Sequence, residues 1–97
     1  MRTSDNLHQR LKDLNEIIII ELGVNLRKPQ NGTPYYNALR IFIAITRDFC
    51  PIADITKFLR KDRTTLIYHH HKHLDLMTVD QSYKSLFLMI KNSYYEN

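Results

Sequence analysis

Only one cysteine, Cys50, occurs in the 97 residues, which excludes an internal disulfide and every Cys-rich zinc pattern. No apolar stretch approaches the ~20 residues that a membrane-spanning helix needs, and the run Ile17 to Ile20 falls far short. The first residues, MRTSDNLHQRLKDL, are polar and amphipathic and do not read as a secretory signal. A cytoplasmic protein is therefore expected. There is no glycine-rich phosphate loop, no nucleophile elbow and no pair of carboxylates in an apolar setting. No enzyme, ATPase activity or cofactor is expected on these grounds. Repeats and low-complexity segments are missing too.

What is present is one modest core and one concentrated charge. Apolar residues make up 43% and charged residues 25%, a globular balance over a length that suits one small domain, 1–97. Between Lys57 and His73 stand Lys57, Arg60, Lys61, Arg63 and Lys72 against Asp62 alone, so this window carries the chain's whole +4 excess. A basic patch on an otherwise balanced body suggests a polyanion partner.

Leu7, Leu11, Leu14, Ile18 and Leu22 are spaced by fours and threes, which predicts a helix over 5–22 that Ser4 or Asp5 can cap and Gly23 can end. The only Pro/Gly-rich stretch, VNLRKPQNGTP, predicts a loop over 23–33 and carries Arg27 and Lys28. Thr33 as cap, with Pro34 in the first helical position, opens a helix over 34–49. Its Ala38, Leu39, Phe42, Ile43, Ile45 and Phe49 cover more than half its girth, making it the central helix. Pro51 opens a short helix over 51–59, and Asp62 caps another over 62–77. A last helix over 79–94 places Val79, Tyr83, Leu86, Phe87, Ile90 and Tyr94 on one stripe. The aromatic pair Tyr94 and Tyr95 is placed to seal the core or a dimer. The fold class expected is all-α, a compact domain of about five helices containing a helix-turn-helix.

In that motif the second helix enters the DNA major groove by its N-terminal end. On a wheel of about 100° per residue, Thr64, Thr65, Tyr68, His71 and Lys72 share one side, with Arg63, Leu66, Ile67, His70, Leu74 and Met77 roughly opposite. The threonines can hydrogen-bond a base edge or touch a thymine methyl, and Arg63 can present a bidentate fork to guanine. Tyr68, His71 and Lys72, with Lys57, Arg60 and Lys61, are expected to track the sugar-phosphate backbone.

The stretch KDRTTLIYHHHKHLDL resembles the signature of the C-terminal DNA-binding domain of the bacterial replication initiator DnaA. Lys61, Asp62, Thr64, Thr65, Leu66, Tyr68 and Lys72 stand at matching positions. IADI at 52–55, FIAITRDF and the loop with Arg27 and Lys28 extend the likeness to residues 14–95 with less specificity. The resemblance implies a Trp-repressor-like helical fold and sequence-specific binding to double-stranded DNA. Asp62, Arg63, Thr64 and Thr65 would then face bases in the major groove, Ile52 a thymine methyl, and Arg27 or Lys28 the minor groove. Its setting would be replication or transcription control in a bacterium, phage or mobile element. Two departures stand out: Arg63 replaces a histidine, which favours a guanine, and Arg60 stands where the family turn has glycine. The rival reading is an adaptor docked on a replication protein, keeping the scaffold without binding DNA.

His69 and His73 are four apart, a spacing that can chelate zinc, nickel or copper. No third ligand accompanies them, so no metal site is expected. One or two histidines are instead expected half-buried with satisfied rings, and His71 outward. The wheel puts His70 nearest the apolar face, whereas the resemblance puts His69 and His73 at core positions. Cys50, before a proline at a helix break, reads as a small core residue.

Overall fold

The computed structural model describes residues 6–28 and 30–96. They form five α-helices: α1 (Leu7–Leu22), α2 (Thr33–Thr46), α3 (Ile52–Leu59), α4 (Arg63–Val79) and α5 (Gln81–Glu96). No strand occurs among the described residues. The all-helical class and the helix count follow the expectation; several boundaries shift for identifiable reasons.

Helix α1 is capped by Asn6, whose side-chain oxygen accepts the Gln9 N–H at 3.1 Å. Ser4 and Asp5 lie outside the described residues. Gly23 ends the helix at φ 69°, donating its N–H to the Ile19 carbonyl at 2.9 Å. Leu11, Leu14 and Ile18 are buried, with Leu7 and Leu22 at the edges of the stripe. A helix spreads four consecutive isoleucines around its girth, so Ile18 enters the core while Ile20 faces solvent.

Helix α2 starts one residue earlier than expected. Gly32 holds the capping position at φ 103°, a backbone angle threonine adopts only at a cost, and accepts the Tyr36 N–H at 3.0 Å. The helix also stops at Thr46 rather than Phe49. Asp48 and Phe49 donate to Ile45 and Thr46, three residues back, and tighten the last turn. Pro51 makes helical geometry unfavourable for Cys50, and this sets the stop. Tyr35, Ala38, Leu39, Ile41, Phe42, Ile43, Ile45 and Thr46 are all buried, so α2 is the central helix as expected.

Helix α4 runs to Val79, and Asp80 then caps α5 by accepting the Tyr83 N–H at 3.0 Å. Val79, expected on the buried stripe of the last helix, is instead 78% exposed at the end of α4. Tyr83, Phe87, Ile90 and Tyr94 do face the core. Tyr94 seals one end of it: its ring stacks on Phe49 and its hydroxyl accepts from Arg10 Nε at 3.2 Å. One continuous cluster of buried side chains joins all five helices, and Cys50 lies within it. Burial pushes the Cys50 thiol up from its usual range, which suits a core residue better than a nucleophile.

Candidate nucleic-acid interface

The turn between α3 and α4 is three residues long, Arg60 to Asp62. Arg60 sits in the left-handed region at φ 58°, ψ 43°, and no other non-glycine among the described residues has a positive φ. Both Arg60 and Lys61 donate their backbone N–H to the Thr56 carbonyl, closing α3 as a glycine would. Asp62 returns to extended geometry, and its Oδ1 accepts the Thr65 N–H at 2.7 Å. That backbone bond, aided by the Thr65 hydroxyl, holds the Asp62 carboxyl below its ordinary range. The start of α4 is thus defined by its own first residues.

The rotation of α4 differs from the wheel reading. Leu66, His69 and His73 are buried, with Leu76 and Met77 partly so. Ile67 and Leu74, assigned to the apolar side, are 37% and 55% exposed, whereas Thr65 is half-buried. Apolar letters are scattered around this helix, and two histidines take inward positions because partners wait for them. Arg40 Nε donates to His69 Nδ1 at 3.2 Å, and Tyr36 stacks on the same ring. His73 Nδ1 pairs with the Tyr83 hydroxyl at 2.7 Å, with Phe87 at 4.7 Å between ring centres. Burial pushes both imidazoles down to about 4, with the Arg40 and Lys61 charges assisting at His69 and His70 at His73. His70 is half-buried and pushed down as well, first by burial and then by Arg47, while His71 faces outward. Among the described residues no group of three or more His, Cys, Asp or Glu side chains is arranged to hold a metal ion.

The outward surface therefore collects Arg63, Thr64, Tyr68, His71 and Lys72 on α4, with Lys57 and Arg60 just before it, all exposed. Lys61 is half-buried with its ammonium 5.5 Å above the Tyr35 ring, and the Lys72 ammonium lies 6.0 Å from the Tyr68 ring. Ile52 is half-buried and packs against the core at the start of α3.

The basic loop is held by a device invisible to pattern reading. Asn15, buried on α1, accepts the Leu26 N–H at 3.1 Å and donates to Asn25 Oδ1 at 3.3 Å. Asn25 in turn accepts the Arg27 N–H at 3.0 Å. Val24 and Leu26 plug into the core, and the Arg27 guanidinium lies 4.5 Å from the centre of the Phe58 ring on α3. Arg27 and Lys57 consequently line one cleft of about 400 Å³ with Asp54 and His8. Arg27 and Lys28 are both exposed.

Sequence reasoning missed Arg40 and Asn15. A signal existed for the first: Arg40 is the single charged residue between Thr33 and Thr46, in an otherwise uncharged helix. Asn15 carried no signal beyond one polar letter beside an apolar stripe.

Compared with protein-family models, with curated proteins and with solved structures, the chain gives no match. No helix among the described residues is long and apolar enough to cross a membrane.

Proposed function

We propose that the chain binds double-stranded DNA in a sequence-specific manner, docking the N-terminal turns of α4 into the major groove. The observation that carries this reading is the outward presentation of Arg63 and Thr64 at the first turn of α4, flanked by Lys57, Arg60 and Lys72. A helix N-terminus flanked by cations combines base-reading groups with phosphate attraction. The likeness to the initiator's C-terminal domain agrees with it, including the Asp62 cap beside the threonine pair. Asp62 and Thr65 act mainly on the helix start, and base reading falls to Arg63 and Thr64. Arg27 and Lys28 are the side chains available for an adjacent groove, in replication or transcription control without nucleotide hydrolysis by this chain.

Selecting bound duplexes from a random library and sequencing them tests the reading. Enrichment of one motif containing a guanine supports it. On that motif Arg63→Ala should cost about 1–3 kcal/mol while barely changing affinity for random duplex. Equal loss on every duplex would remove Arg63 as a base reader.

A second reading is a protein-interaction adaptor, favoured by the exposure of Ile67 and Leu74 on one flank of α4. It predicts that Ile67→Ser with Leu74→Ser abolishes partner capture and leaves DNA affinity as it was.

A further inference from the structure

Beside the reading surface lies a second feature that the sequence did not suggest. A cleft of about 440 Å³ opens between the N-terminal half of α2 and the first turns of α4, lined by Tyr36, Arg40, Lys61, Thr65, Tyr68 and His69 over a floor of Leu39. Its charges are all of one sign, because Arg40 and Lys61 line it and no carboxylate does.

The imidazole of His69 sharpens the picture. Arg40 Nε donates to Nδ1, so that nitrogen bears the lone pair and the proton of the neutral ring sits on Nε2. Nε2 makes no hydrogen bond to any described residue. Every buried side-chain nitrogen or oxygen among the described residues has a partner, so this N–H must reach solvent although the residue is only 6% exposed. His69 lines this cleft. The residues lining this one space thus include a nearly buried imidazole, a guanidinium with spare N–H groups, a lysine and a tyrosine. Such a set fits a tetrahedral anion with several acceptor oxygens.

We propose that this cleft seats one phosphoryl group, supplied by the backbone of the duplex whose bases α4 reads. The proposal rests on the DNA-binding reading for that source. Position supports it: a helix in the major groove is flanked by a phosphate chain on each side, and the cleft opens on the Thr65 and Tyr68 flank. The opposite flank, lined by Arg47, Ile67, His70, His71 and Leu74, carries one permanent cation against the two of this cleft. The two DNA strands are therefore held unequally, and the strand on the α2 side carries the tight contact. Arg40 and His69 become DNA-contacting residues although neither belongs to the turn or to the outward face.

The test uses the whole chain and measures duplex affinity against salt by fluorescence anisotropy, alongside the His69 Nε2 resonance in ¹⁵N-labelled protein. Arg40→Ala and Lys61→Gln should each make the slope of log affinity against log salt shallower by about 0.9, the value of one lost phosphate contact. Arg40→Lys, which keeps the charge, should retain most of the slope and covers the case where Arg40→Ala unfolds. The His69 resonance should move with duplex and stay still with adenosine monophosphate at equal concentration. Duplex binding with unchanged slopes in both charge-removing variants overturns the phosphate seat and leaves the DNA reading standing. No duplex binding by the unsubstituted chain defeats the DNA reading, and the nucleotide arm then decides. Saturable movement of the His69 resonance would mean a free phosphate ligand uses the site; no movement would overturn the site altogether.

Discussion

Acidification should unfold this domain through His69 and His73, and the size of the effect follows from their surroundings. Both rings are buried, at 6% and 5% exposure, and both are pushed from 6.5 to about 4. The folded state holds them neutral, whereas the unfolded chain protonates them near 6.5, so the unfolded state binds more protons between these values. Stability from this source is complete above ~6.5 and drains away as pH falls toward ~4. Between pH ~7.5 and ~5 the shift would cost about 2 kcal/mol per histidine if fully expressed. Water at the ring edges screens part of that, leaving about 2–3 kcal/mol for the pair. Against a typical ~5–15 kcal/mol of total stability, this is a large fraction. Protonating His69 also sets a second cation beside Arg40, and protonating His73 sets one beside His70. Urea denaturation at a series of pH values measures the loss directly. The paired substitution His69→Asn and His73→Asn, which keeps an acceptor near each Nδ1, should flatten the profile. A free energy of unfolding constant within ~0.5 kcal/mol from pH ~7.5 to ~5 would refute the reasoning.

Two further outcomes test the turn and the loop. Arg60→Gly should stabilise the fold by about 0.5–1 kcal/mol, because relief of the left-handed backbone exceeds the added freedom of the unfolded chain. The same variant should flatten the salt dependence of duplex binding by about 0.9, and a lower urea midpoint would contradict the strain assigned to Arg60. Asn15→Ala should cost about 1–3 kcal/mol by orphaning the Leu26 N–H. It should also weaken duplex binding through the loop that carries Arg27 and Lys28, and an unchanged melting curve would show that the loop is held otherwise.

The helix count and the central place of α2 were legible because Leu11, Leu14 and Ile18, or Ala38, Phe42 and Ile45, repeat at helical spacing. Boundaries were legible where the residue type itself marks the cap, as at Gly23, which tolerates the left-handed backbone, and at Asp62, whose carboxylate accepts the Thr65 N–H. They were misplaced where the backbone decides, as at Gly32, or where a cap competes with an apolar stripe, as at Asp80 and Val79. Helix α4 defeated the wheel because its inward face holds two histidines and its outward face holds Ile67 and Leu74. Its orientation is set by Arg40 and Tyr83, residues far away in the chain, and periodicity within one helix carries no trace of them. The resemblance put His69 and His73 at core positions, and the structure buries both. Asn15 shows the same limit: its partners, Asn25 and Leu26, become visible only once the loop has folded back on α1.

The central claim is that the surface headed by Arg63 and Thr64 binds duplex DNA, and anisotropy with a random duplex at low salt tests it most directly. Binding between about 10⁻⁴ and 10⁻⁶ M, with log affinity falling by about 3 to 6 per decade of salt, is the result expected from three to seven phosphate contacts. No binding up to ~100 μM would contradict the claim and leave the adaptor reading in its place.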